Sequence, residues 1–307
     1  MSSFCSSSAA NPFVLRGAKI VFVDIRPDTM NMNEELLEEA VTEKTRVIVP
    51  FHYAGVACDM KHIMEVAKKY NLYVVENVEH GLMGKYFDDY LGTMGDLGCV
   101  GFHEGGSYAC GQGGALFINR KELVERAEWI RDEGTNRNLS EVGFQGYSWV
   151  DIGSSYRISE LNAAYLYSQL GKSKILYNRI RSWDSYYRGL KILETEETIE
   201  LPQVIKGALH NGSIFYMKLK DSGERTRVMK YLQYYKVETS VHYKPLHSSP
   251  AGGKYSRFSG QDRYTTAESK RLLLLPLYYG LDSKDVKYIV NTILMRYSYK
   301  FSLSGQD

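Results

Sequence analysis

Three short stretches put acid–base or ligand-binding groups at what read as strand ends. They are Phe51-His52-Tyr53, Glu76-Asn77 with His80 three residues on, and Phe102-His103-Glu104. A glycine-rich loop follows the last, from Gly105-Gly106 to Gly111-Gln112-Gly113-Gly114, and small residues there let backbone amides close on an anion. In an open parallel sheet, ligands bind beyond the carboxyl ends of the strands. These groups are therefore either a binding site or ordinary strand-end turns, and spacing alone leaves both readings open. His52, His80 and His103 together would suit zinc, but no short paired spacing links them, so structural histidines and no metal are the favoured reading. Cys110 lies seven residues after His103, and nothing in the sequence joins the two as nucleophile and base. The segment His242-Tyr243-Lys244-Pro245-Leu246-His247 is either a ligand loop or a plain connection.

The elements that must position these groups alternate from Lys19 onward. Lys19–Asp24, Arg46–Phe51, Leu72–Val75, Gly98–Phe102 and Ala115–Ile118 are rich in branched and aromatic residues and predict strands. Asn33 predicts the cap of a short helix over Glu34–Val41. Asp59 predicts the cap of another, with Met60, Ile63, Met64 and Ala67 on one face. A further helix is expected over Lys121–Asp132. Units of this kind imply a mostly parallel sheet with helices on its faces. Thr135–Tyr156 reads as loop, and Ile158–Leu170 and Ser173–Leu193 as two helices. Past Pro202 the pattern changes: strand Ser213–Leu219, helix Arg225–Lys236, strand Val237–Tyr243 and helix Ser283–Tyr297. The expected division is a large α/β domain over 1–200 and a smaller α+β domain over 201–307. The opening MSSFCSSSAANP reads as a loose tail or a strand remnant, without the pattern of a secretory signal.

Composition excludes several classes. With 44% apolar and 24% charged residues, the 307-residue chain can bury a core, which excludes a disordered protein. No run of about 18 apolar residues is present, which argues against a spanning helix. Thirty-eight Lys and Arg against 36 Asp and Glu give a formal charge of +2, too small to favour nucleic acid or an acidic membrane. Four scattered cysteines suit a reducing cytoplasm better than a disulfide framework.

Longer motifs carry a resemblance. NPFVLRGAKIVFVDIRPDTMN and KTRVIVPFHYAGVACDM, then Asp151-Ile152-Gly153-Ser154-Ser155-Tyr156, Leu161-Asn162-Ala163-Ala164-Tyr165, His242-Tyr243, Pro245-Leu246-His247 and Asp262-Arg263-Tyr264-Thr265-Thr266 resemble the sugar-nucleotide aminotransferases. The resemblance covers nearly the whole chain. It implies the fold type I architecture of pyridoxal-phosphate enzymes, with a large mostly parallel α/β/α domain and a smaller C-terminal α+β domain. It also implies a cytoplasmic dimer, and amino transfer from glutamate to a dTDP-4-keto-6-deoxyhexose in cell-surface polysaccharide biosynthesis.

Carried over residue by residue, the resemblance implies departures as well. Members bind the cofactor as an imine on the lysine of a Ser-Phe-His-Glu-Thr-Lys-Asn motif; here Gly101 stands at the serine and Gly106 at the lysine. Asn77 stands where an Asp keeps the ring nitrogen protonated. His80 is at a cofactor-contacting position, and Ser155 is where many relatives carry an Asn reaching the partner subunit's cofactor. The family's phosphate loop and ring-stacking aromatic belong to units that precede the point matched by Met1. The cofactor-type positions expected are thus Asn77, His80, Gly101 and Ser155, with no catalytic lysine. His242, Tyr243, Lys244, His247, Arg263 and Tyr264 are the expected sugar-nucleotide contacts, with Lys244 and Arg263 facing a diphosphate; the other reading is that they only tie the small domain to the large one. The two expected functions are an aminotransferase of doubtful catalysis, and a non-catalytic binder, a partner subunit of an intact paralogue, or the product of a decaying gene.

Overall fold

The computed structural model describes residues 1–137 and 146–303; the part of the expected loop at 138–145 lies outside the described residues. A four-stranded sheet organises the first half, in the order Val47–Ile48, Tyr73–Asn77, Leu97–Gly101, Gly114–Ile118. The first three strands are parallel, with Val47 opposite Tyr73 and Val75 opposite Leu97. Gly114–Ile118 runs antiparallel to its neighbour, Gly101 facing Gly114. The glycine-rich loop is thus the connection of an antiparallel pair. The strand at Ile20–Phe22 pairs outside this sheet, in parallel with Ser256–Phe258.

Local chemistry explains the supporting helices. Asp59 accepts a hydrogen bond from His62 N at 3.1 Å and caps helix Met60–Lys69. Met60, Ile63, Val66 and Ala67 are its buried face. Fully burying a side chain such as Ile63 contributes about 1.5–3 kcal/mol, and Lys68 and Lys69 in the last turn suit the helix dipole. Asn33 accepts from Glu35 N and starts the turn Glu34–Leu36, which leads into helix Leu37–Ala40. Helices Glu160–Leu170 and Ser173–Thr195 follow the middle loop.

In the C-terminal part, Leu272–Leu275 pairs antiparallel with Phe215–Lys218, and all eight residues are buried. Helices Ser222–Tyr234 and Ser283–Leu303 flank them. The expected strand over Val237–Tyr243 is not formed: a single bridge, Ser240 to Leu274, is what it makes. Leu272–Leu275 takes the place at the sheet, because an unbroken apolar run suits a strand covered on both faces. The loose-tail reading of the opening is also overturned. Phe4 and Ser3 are fully buried, Ser2 bridges Val23 in parallel, and Ser7–Leu15 is a helix. Phe4 holds the segment down, with its ring 5.0 Å from that of Tyr53 and 5.5 Å from that of Tyr243. That aromatic group belongs to a cluster in which Phe4, Phe51 and Tyr53 meet Tyr216, Leu272 and Leu274, joining the first half of the chain to the second.

Candidate functional site

A cavity of about 890 Å³ opens beside that cluster. Its polar lining includes Glu79, His80, His103, Arg179, His242 and Tyr243, together with Gly105 and Gly106. Strand Tyr73–Asn77 delivers Glu79 and His80, and strand Leu97–Gly101 delivers His103, as strand ends of a parallel sheet are expected to do. The segment 235–243, released from strand pairing, forms part of another wall.

Hydrogen bonds set the direction of each donor. His80 Nδ1 accepts from Ala54 N at 3.3 Å, so a neutral ring carries its proton on Nε2, 3.3 Å from the Tyr243 hydroxyl. Tyr243 stacks on His242 with ring centroids 4.2 Å apart, and His80 stacks on His242 at 5.8 Å. Burial, with the neighbouring charges of His242, His103 and Arg179, pulls the His80 pKa down to about 3. Burial pulls His242 down to about 4. Both rings are therefore neutral at pH 7. Burial first, and then the Glu79 and Cys5 charges, push the Tyr243 phenol above its ordinary value, so it acts as a hydrogen-bonding hydroxyl. His103 Nδ1 accepts from Gly105 N at 3.1 Å, and Nε2 then donates to Glu79 Oε1 at 2.9 Å.

The backbone beneath His80 is held tightly. Ala54 has φ 55 and Gly55 φ 82 in the turn Tyr53–Gly55. A Cβ on Gly55 would fall 1.9 Å from Asn211 Oδ1, whose amide donates to the carbonyls of His80 and Leu82. Glycine is required there both by conformation and by space.

Of the residues expected from the sequence, His80, Gly106, His242 and Tyr243 meet at this cavity. Asn77 is buried at the end of its strand, with Oδ1 accepting from Glu79 N at 3.0 Å. Gly101 is paired with Gly114 in the sheet and is not part of the lining. Ser155 is exposed and bridges Asp132. Lys244 is exposed. His247 is tied to Ser3 Oγ at 2.7 Å and to Asp262 at 3.1 Å. Arg263 and Tyr264 donate their backbone N–H groups to Asp24, each at 2.9 Å. The last four residues therefore sit outside the cavity lining. His52 is fully buried between Glu76 Oε2 at 3.0 Å and Cys58 N at 3.1 Å. Burial raises the Glu76 pKa, but the His52 bond and the amides of Gly95 and Gly92 outweigh it and hold the carboxyl below its ordinary value. The Cys110 thiol is spent on the carbonyls of Phe102 and Gln112. Among the described residues, no group of three or more His, Cys, Asp or Glu is placed to hold a metal ion.

Among the lining residues that escape the sequence reading are Glu79, Arg179 and Ser213. Arg179 left a signal. It interrupts the buried stripe Ile175, Ser182, Trp183, Tyr186 of helix Ser173–Thr195, and a cation on an apolar stripe needs a partner or a purpose.

Comparison with known proteins defines the class. Residues 1–294 match the DegT/DnrJ/EryC1/StrS aminotransferase family, and the chain belongs to that family. It is 30% identical over 296 residues to the uncharacterized protein MJ1066 of Methanocaldococcus jannaschii, covering 94% of this chain and 76% of that one. It is 28% identical over 297 residues to the spore coat polysaccharide biosynthesis protein SpsC of Bacillus subtilis, with the same coverage of each. Among solved structures, a DegT DnrJ EryC1 StrS aminotransferase from Brucella abortus superposes with a TM-score of 0.85 at 26% identity, over 95% of this chain and 77% of that one. The architecture is that of the fold type I enzymes, and pyridoxal phosphate is the cofactor of the family. Among the described residues no helix is long and apolar enough to cross a membrane.

Proposed function

We propose that this chain is a sugar-nucleotide-binding member of the family that does not carry out transamination unaided. One observation carries the reading: the loop after strand Leu97–Gly101 presents Gly105 and Gly106 to the cavity, and no lysine. Family chemistry needs a primary amine at this loop to capture the cofactor aldehyde and later to move a proton. Lys236, the lysine of the cavity lining, stands on the turn after helix Ser222–Tyr234 instead. The loop is also shaped around glycine. A Cβ on Gly106 would lie 3.0 Å from the Tyr108 carbonyl and 3.2 Å from that of His103.

The residues present do not fit pyridoxal phosphate as an active transaminase would hold it. Asn77 has its oxygen engaged by Glu79 N, so it offers its NH₂ group, a donor without charge. A neutral donor does nothing to keep a ring nitrogen protonated. The ligand favoured is the sugar nucleotide, with a dTDP-4-keto-6-deoxyhexose the specific choice, since the sequence motifs resemble those of dTDP-4-amino-4,6-dideoxygalactose transaminases. The second reading, transamination from glutamate to that sugar, is supported by family membership over residues 1–294. The partner favoured is a second copy of this chain or an intact paralogue. Trp149, Ile152, Tyr156, Leu161, Tyr165 and Tyr167 are each more than 60% exposed, a concentration of apolar surface that marks an interaction face.

Borohydride reduction with pyridoxal phosphate, followed by peptide mass mapping, tests the first reading. No phosphopyridoxyl adduct is expected, and Gly106→Lys alone is expected not to restore conversion of a dTDP-4-keto sugar. An adduct at Lys236, or turnover by the native chain, would establish the second reading.

A further inference from the structure

Arg179 is a buried cation with no counter-ion among the described residues. It is 6% exposed on the apolar stripe of helix Ser173–Thr195. Nε donates to the Gly212 carbonyl at 3.2 Å, and Nη2 to the Ser213 carbonyl. Among the described residues no carboxylate answers the charge: the titratable neighbours that feel it are the Tyr108 phenol and the His80 imidazole. Burial accordingly lowers the guanidinium pKa to about 10. A purely structural tie between the helix and residues 212–213 would need two N–H groups and no charge. A guanidinium has five, and Nη1 makes no hydrogen bond among the described residues, while Arg179 lines the cavity. Ser213 lines it too. Its side chain is buried, and its hydroxyl has no partner among the described residues, whereas its N–H is held by Asn211 Oδ1 at 2.9 Å. Three carboxylates line the cavity, Glu79, Glu238 and Asp285; Glu79 is held by His103, and none of the three pairs with Arg179 among the described residues.

An unpaired buried charge is costly, and the cost is offset when an anion reaches it through an oriented fork. The two carbonyls of Gly212 and Ser213 hold the plane of that fork, so the remaining N–H groups have a fixed aim. We propose that Arg179 and Ser213 form an oxyanion site in the wall of the cavity, which takes the carboxylate or phosphate of a small ligand. The site depends on the cavity and not on whether the chain transaminates.

The test follows the Arg179 Nε–H resonance of the native chain by NMR. Inorganic phosphate and glutarate are titrated separately against sodium chloride at equal ionic strength. A saturable shift with phosphate assigns a phosphate site, and one with glutarate a carboxylate site; either supports the proposal, with a dissociation constant of about 1 mM or tighter expected. Ser213→Ala removes a hydroxyl with no structural partner and should weaken binding several-fold without changing the melting temperature. Arg179→Lys keeps the charge, loses the fork, and should weaken binding at least tenfold. The proposal fails if neither anion moves the resonance beyond the chloride control, or if both variants bind as the native chain does.

Discussion

Replacing Asp24 by Asn should destabilise the fold severely, although Asp24 lies outside the cavity lining. The residue is 1% exposed, just after strand Ile20–Phe22. Oδ2 accepts from Arg263 N and Tyr264 N, both at 2.9 Å. Oδ1 accepts from Thr265 N at 2.8 Å, Thr265 Oγ1 at 2.6 Å and Ile25 N at 2.9 Å. Whichever way an amide sits, one oxygen becomes an NH₂ facing at least two donors. A hydrogen bond to a charged group is worth about 1.5–3 kcal/mol, so two lost bonds amount to about 3–6 kcal/mol. That is a large part of a typical stability of about 5–15 kcal/mol. Urea unfolding should show a lower midpoint with an unchanged slope. Arg263→Ala is the control, because among the described residues the Arg263 side chain hydrogen-bonds only Gln261, at 3.4 Å; it should change stability by less than about 1 kcal/mol. A loss below about 1 kcal/mol for Asp24→Asn would refute the claim that this carboxylate fastens the segment 263–265. A large loss for Arg263→Ala would show that the side chain, not the backbone, makes the attachment.

Stability should fall as pH drops from 6.5 towards 4.5, before most carboxylates titrate. His80 and His242 stay neutral in the fold but protonate when unfolded, which gives up to about 1.4 kcal/mol per pH unit for each, and burial holds His210 below its ordinary value as well; His242→Gln should remove a clear part of the slope seen in urea titrations, and an unchanged slope would contradict the assignment. Gly134→Ala should cost several kcal/mol by thermal melt, since φ is +75 and the new Cβ would fall 1.8 Å from the Asp151 carbonyl. Leu161→Glu with Tyr165→Glu should reduce the assembly to monomers by light scattering; the same mass for native and variant chains would remove the interface from that face.

How far the sequence was readable depended on the range of the interactions. Helix Met60–Lys69 was legible because its cap and apolar face lie within ten residues. Four of the cavity groups, His80, His103, His242 and Tyr243, were legible as residues near strand ends or in a recognised motif. Leu272–Leu275 was not, because four consecutive leucines have no alternation to betray a strand buried on both faces. The antiparallel direction of Gly114–Ile118 was hidden too, since direction belongs to the pairing and not to either strand. Glu79 and Ser213 looked like ordinary polar residues, and only the folded chain sets them against the same space as Arg179.

The motif at 262–266 shows where reading chemistry from residue type fails. Arg263 and Tyr264 look like a diphosphate and sugar contact because of their side chains. In the fold it is largely the backbone of this segment that does the work, by offering Asp24 three consecutive N–H groups, and any non-proline residue carries such a group. His247 behaves similarly, bonding Ser3 and Asp262 on its two ring nitrogens and so pinning the opening segment to the C-terminal part. The residues that do face the cavity with unspent polarity are different ones. Arg179 and Ser213 present donors there. Function in this chain is therefore better sought among groups whose hydrogen-bonding capacity the fold leaves unused than among groups whose types look reactive. By that criterion the cavity wall at Arg179 and Ser213 ranks above every motif in the C-terminal segment.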